Sequence, residues 1–209
     1  MDYKKRYRRW RLLISELNKE RKKQAKKTDI LCNDLIAAHR DFIKKLDTLR
    51  FTANFYEAIV GIRDLSSLTF TASKFIKNEI ADSNVSFFLR HTDNFKLHMF
   101  GSDHPILPEK EGLESCFTPE VVENISKSNK ICTLDEMFTM GLGGNLTCLN
   151  KISAVTIPLS QTGPSLGFIL IYRSAQNKLT AEELNNVSAI AGGLSRAIAC
   201  CQEFCYSAE

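Results

Sequence analysis

No C-x-x-C pair occurs among the seven cysteines (Cys32, Cys116, Cys132, Cys148, Cys200, Cys201 and Cys205). Their odd number also leaves any disulfide framework incomplete, so neither a zinc ribbon nor a cysteine-stapled secreted fold is encoded. A reducing compartment is the expectation. Purely apolar runs are only a few residues long, and the opening MDYKKRYRRWRLL carries charge without an apolar stretch. Neither a membrane span nor a signal peptide is expected, and a cytoplasmic location follows. Gly141-Leu-Gly-Gly144 has neither G-x-G-x-x-G nor Walker spacing, which argues against a phosphate loop. Glycine and proline are absent from residues 1 to 60, so nothing there interrupts a helix.

What is present is a chain of 209 residues, 44% hydrophobic, enough for one good core with residues left for an extension. Its net charge of +4 is unevenly placed. Residues 1–27 hold twelve Lys/Arg against three Asp/Glu, a net of +9, which leaves −5 for the remainder. Within that basic leader Trp10, Ile14, Leu17, Arg21, Gln24, Thr28, Leu31, Leu35, Ala38 and Phe42 alternate steps of four and three. This is a heptad seam with three polar layers in its middle. It continues through Leu46, Leu49, Ala53, Tyr56 and Val60 after two consecutive steps of four, a stutter. A self-associating coiled coil over residues 1–55 is expected. Trp10, Ile14, Leu17, Leu31, Leu35 and Phe42 are its interface, and a solvated helix folded on its own domain is the plainer alternative. The KKRYRR and KERKKQAKK runs, with Tyr3, Tyr7 and Trp10 as stacking or interfacial anchors, also fit weak contact with a polyanion or anionic surface. The ordinary role of such runs is a solubilising face.

Residues 56–206 read as the globular domain. Asp64 caps a helix whose stripe is Leu65, Leu68, Ala72, Phe75, Ile76 and Ile80. Residues 84–91 and 94–100 form a hairpin turned at Thr92 and Asp93, with Val85, Phe87 and Leu89 on one face and Ser86, Phe88 and Arg90 on the other. An irregular stretch from 101 to 150 contains a short helix capped by Thr118 with Pro119 at its first position, and a strand at 131–133. The stretch from Lys151 to Arg173 is a second hairpin whose last strand is apolar at almost every position, as in a strand buried on both faces. Pro158 belongs at a strand end, and Gly167 marks a bulge or a close backbone approach. A closing helix opens with the capping box Thr180-Ala-Glu-Glu183 and carries two stripes, one through Leu184, Val187, Leu194 and Ile198 and one through Ile190 and Ala197. One stripe is expected on the sheet and the other on a partner helix, so Leu184, Val187, Leu194 and Ile198 join the expected dimer interface. Gly192-Gly193 lowers helix stability unless a neighbour comes close there.

The run Val155-Thr-Ile-Pro-Leu159, Gly163, Leu166-Gly-Phe-Ile-Leu-Ile171, Leu179-Thr-x-x-Glu183 and Val187 to Ala191 resembles the closing half of a GAF domain. The element order from about residue 56 to 206 is similar to that family throughout, and Asp135 matches a common position. The resemblance implies an α+β fold: a GAF-like antiparallel sheet with flanking helices on one face and an irregular helical insert on the other, here preceded by the long N-terminal coiled-coil helix. It implies a regulatory role, dimerisation through flanking helices and a small-molecule pocket under the insert. The family's Asn-Lys-x-Phe-Asp-Glu nucleotide signature and Cys-His bilin pair are absent, so the ligand and any cofactor stay unassigned.

By alternation the pocket wall is expected from Phe88, Arg90 and Phe100, with Cys116, Phe138, Met140 and Thr156 as further candidates. An inward Arg90 would favour an anionic ligand, whereas the aromatic residues could instead close over one another as core. No metal site is expected: His91, His98 and His104 are lone histidines, usually surface or core rather than haem ligands. The expected function is a non-enzymatic sensory module, a homodimer passing ligand or partner binding to a separate signalling protein, because no catalytic or DNA-reading module accompanies it. Two alternatives stand beside it. One is a thiol enzyme resembling free-methionine-sulfoxide reductase that uses Cys116, Cys132 and Cys148, whose spacing does not match that family's motifs. The other is a dimeric scaffold with a polyanion-binding leader.

Overall fold

The computed structural model describes residues 3–91, 94–100, 113–144, 149–160 and 165–207, with side chains as far as 203. The chain divides into two compact units, Met1–Leu49 and Arg50–Glu209. Helix α1 (Tyr3–Ile59) supplies all the described structure of the first unit and, through its last turns, the first element of the second. In the first unit the seam side chains are exposed, from Trp10 and Ile14 to Leu35 and Phe42. Thr28 places its hydroxyl on the Gln24 carbonyl at 3.1 Å, so this polar seam layer is satisfied within the helix.

In the second unit the order is the end of α1, α2 (Leu65–Glu79), β1 (Asn84–His91), β2 (Asn94–Phe100), a 3-10 turn (Leu113–Cys116), α3 (Pro119–Ser128), β3 (Cys132–Thr133), α4 (Leu134–Thr139), β4 (Ile152–Leu159), β5 (Gly167–Ser174) and α5 (Ala181–Ser207). The strands form one antiparallel sheet in the order β2-β1-β5-β4-β3, which puts the apolar β5 at its centre. Seven of its eight residues are buried, as a strand covered on both faces requires. Gly167 opens it with a φ of 130°, and a side chain there would meet the Phe88 carbonyl. Pro158 sits one residue from the end of β4, past the two positions that pair with β3, where no ladder donor is needed.

Local signals place the helices. Asp64 accepts from the Ser67 N–H at 2.7 Å, which also holds its carboxyl below the usual range. Thr118 caps α3 with Pro119 following, and Asn129 ends that helix in the left-handed region at φ 48°. Glu183 accepts from the Thr180 N–H at 2.7 Å and its hydroxyl at 2.8 Å, closing the expected capping box of α5.

The sheet separates two apolar layers. Val85, Phe87, Leu89, Val155, Ile157, Ile169 and Ile171 face α2, α5 and the end of α1, where Phe55, Leu68, Ile76, Val187, Ile190, Leu194 and Ile198 meet them. This corrects one expectation. Val187, Leu194 and Ile198 lie in the domain's own core with no exposure, so these three do not face a second copy, while Leu184 is half-buried against that core. Both stripes of α5 turn inward because α2 and the end of α1 lie over the helix flanks. Asn186, for example, donates to Glu79 of α2 at 2.6 Å. The opposite layer holds Phe88, Ile152, Ala154, Phe168, Leu170 and Tyr172, roofed by the 3-10 turn, α3 and α4.

Candidate functional site

The insert-covered side of the sheet is filled by the protein's own side chains. Phe88 on β1, 4% exposed, stacks on Phe168 of β5 at 4.8 Å between ring centroids, and Phe117 closes over both at 5.1 and 6.2 Å. Thr156, fully buried on β4, donates to the Cys132 carbonyl at 3.5 Å, and Met137 is buried in the same layer. Cys116, Phe138 and Met140 are partly buried against this layer. Phe100 lies elsewhere. It pairs with Val85 and packs edge-on against Phe87 at 5.9 Å, on the helix side, which corrects its expected place in the pocket wall. The reason is register: β2 antiparallel to β1 sets Leu97 opposite Phe88, so Leu97 and Phe95 take the insert face and Phe100 the other.

Arg90 reaches α3 rather than open space. Its Nη2 donates to Glu123 at 3.0 Å, and its guanidinium lies 5.0 Å from the Phe95 ring centre. Burial pushes the Glu123 carboxyl up, but hydrogen bonds and charge from Arg90 and then Lys127 outweigh it and hold the group low. Nearby, Glu114 accepts from the Ser86 hydroxyl and, at 2.9 Å, from the Tyr172 phenol. Burial, then the neighbouring Glu114 charge, pushes Tyr172 far above the usual phenol range, so it remains a donor. Between these groups a cleft of about 540 Å³ opens beside Phe88, lined by Phe95, Leu97, Phe117, Val122, Glu114 and Glu123. Its floor is aromatic, its polar lining is Glu114, Glu123 and the amide of Asn94, and the positive charge of Arg90 is already met by Glu123. The geometry suits a neutral or cationic guest better than an anionic one.

Sequence reasoning did not single out Glu114 or Glu123. Each lies in the irregular stretch, and only the packing of α3 and the 3-10 turn over the sheet brings it to β1. Cys132 is buried, with its sulfur 3.4 Å from the Ser128 hydroxyl, and Cys116 is half-buried. Cys148, His104 and the Thr92-Asp93 turn lie outside the described residues. His98 faces the helix side opposite Phe87, where burial and then Lys96 lower its pKa.

A second concavity, about 660 Å³, lies on the helix side between the end of α1 and α5. Tyr56, Ile59 and Val60 form one wall and Gly192, Gly193 and Ala197 the other. The Tyr56 ring fills the space a Cβ on Gly193 would take, which explains that glycine, whereas a Cβ on Gly192 would meet nothing.

No family model and no curated protein matches this chain. Solved structures do. The GAF domain of a phosphoenolpyruvate-protein phosphotransferase from Coxiella burnetii is 13% identical with a TM-score of 0.54, covering 78% of this chain and 98% of that one. The GAF domain of a two-component sensor histidine kinase from Bacillus halodurans is 15% identical with a TM-score of 0.53, covering 71% and 100%. A GAF domain/HD domain protein from Geobacter sulfurreducens gives 10% and 0.51, covering 70% and 99%. At such identities the likeness establishes the fold, and the fold is that of a GAF domain.

Proposed function

We propose that this GAF fold serves as a non-enzymatic sensory or signalling module that works as a homodimer in the cytoplasm and passes its state to a separate partner protein. The observation that carries the reading is helix α1, unbroken from Tyr3 to Ile59, with an exposed apolar seam upstream and Phe55 and Ile59 set into the domain core. One neighbour of like fold comes from a sensor histidine kinase, and that name supports a sensory role. The dimer seam runs through Leu31, Leu35 and Phe42, all more than half exposed. Asp34 and Asp41 flank it in g positions, with His39 in the e position that Asp34 faces across a parallel pair.

Gly192 offers a second point of contact between copies. A helix-interior glycine costs about 1 kcal/mol relative to alanine, and among the described residues nothing lies within 4 Å of where a Cβ on Gly192 would stand. A close-approaching helix from a second copy, seated in the groove beside Tyr56, accounts for it. The ligand seat is the cleft beside Phe88, where a small neutral or cationic molecule would touch both α3 and the edge of the sheet.

Light scattering of the full chain at roughly tens of micromolar should report a dimer, since a dissociation constant near 1 μM corresponds to about 8 kcal/mol of association free energy. Gly192→Arg should leave the fold intact and raise the dimer dissociation constant about tenfold or more, since ~1.4 kcal/mol of lost contact suffices. A strict monomer ends the proposal.

A further inference from the structure

The seam of α1 is two apolar stretches, not one, separated by Arg21, Gln24 and Thr28. In the first, Tyr3, Tyr7, Trp10, Leu13, Ile14 and Leu17 are exposed by 88, 71, 65, 49, 54 and 68%. At about 100° per residue they share a stripe roughly 120° wide on one side of the helix. Arg6 falls within this stripe, Lys4, Lys5, Arg8, Arg9 and Arg11 occupy its flanks and the opposite side together with Leu12, and Glu16 is the single acid between Tyr3 and Leu17.

This stretch is ill suited to pairing with itself. In the heptad register of the seam, Lys4 and Arg11 take e positions and Arg6 a g position. A parallel copy would set Arg6 against Arg11, and an antiparallel one would also oppose cations, with no acid at an e or g position of this stretch to relieve them. The stretch around Leu35, with Asp34 and His39 at its flanks, has no such conflict.

We propose that Tyr3–Leu17 is an interfacial helix that docks this protein on an anionic lipid surface. The apolar stripe enters the boundary between headgroups and acyl chains, Tyr3, Tyr7 and Trp10 settle at headgroup depth, and the flanking Lys and Arg stems reach outward to phosphates and carboxylates. Charge complementarity selects an acidic surface over a neutral one. The stripe selects lipid over nucleic acid, because a phosphate backbone would satisfy the cations yet leave Leu13, Ile14 and Leu17 in water. Contact is with the surface alone: no helix among the described residues is long and apolar enough to cross a membrane.

Trp10 is the chain's single tryptophan and a built-in probe. The full chain is mixed with vesicles of phosphatidylcholine plus phosphatidylserine, or of phosphatidylcholine alone, and Trp10 emission is followed. A blue shift and quenching by bromine-labelled acyl chains are expected with the acidic vesicles only. Replacing Lys4, Lys5, Arg8 and Arg9 by Gln should lower partitioning at least about a hundredfold, since each basic residue near such a surface is worth roughly fivefold. These side chains are exposed, so the helix signal in circular dichroism should be unchanged. Three outcomes overturn the proposal: an unchanged spectrum with acidic vesicles, an equal response to neutral ones, or Trp10 quenching by duplex DNA without any vesicle binding.

Discussion

Removing Arg173 tests how α5 is held to the centre of the sheet. Its side chain is 4% exposed and its two terminal nitrogens donate to the two carboxylate oxygens of Glu183 at 2.8 and 2.7 Å, with a further bond to the Lys178 carbonyl at 2.7 Å. This is a planar two-point pairing that lysine could not reproduce. Breaking a buried pair from one side costs about 3–5 kcal/mol. In Arg173→Met the stranded Glu183 keeps both Thr180 hydrogen bonds and some exposure, so the loss should sit near 3 kcal/mol. In Glu183→Ala a buried guanidinium is stranded and the helix cap goes too, so the loss should approach 5 kcal/mol. For a domain of this size the first change lowers Tm by roughly 6–12 °C. The double variant should be less damaged than Glu183→Ala alone, because no uncompensated charge is left. Urea unfolding at neutral pH with thermal melts measures all three. Single variants within about 1 kcal/mol of the parent, or a double variant whose losses simply add, would refute the reasoning.

Further outcomes follow from other groups. The Glu183 carboxyl is pushed up by burial but pulled below its ordinary 4.5 by Thr180 and then Arg173. The folded state therefore binds this proton less readily than the unfolded state, and the stabilisation present above pH 4.5 drains away as pH falls through the lowered value. Arg173→Met should flatten that acid limb of the stability curve. His98, lowered from its ordinary 6.5 by burial and then Lys96, acts in the same sense. Stability should decline as pH drops below 6.5, and His98→Gln should remove that part of the dependence in urea titrations. Gly167→Ala combines a positive φ with a collision on the Phe88 carbonyl, so a loss of at least about 3 kcal/mol is expected, read by the same titrations.

Much of this architecture was legible in the chain because its signals are local. Asp64, Thr118-Pro119 and Thr180 with Glu183 satisfy the first N–H groups of their own helices, so the caps could be read within a few residues. Uninterrupted apolar β5 announced a central strand, and alternation along β1 assigned Phe88 and Phe87 to opposite faces. Pairing partners are not local. Phe100 went to the helix side because register with β1 decides its face, and one residue of slip would have reversed it. Val187 and Leu194 are core because α2 and α1 cover both flanks of α5, and a stripe alone does not say what covers it. The same limit governs the site. Phe117 closing over Phe88, Arg90 meeting Glu123, and Tyr172 meeting Glu114 across 58 residues exist only once the irregular stretch is laid on the sheet. Sequence determined which segments are helix and strand through short-range hydrogen bonding and periodicity; tertiary structure decided which faces meet, because burial is shared between residues far apart in the chain.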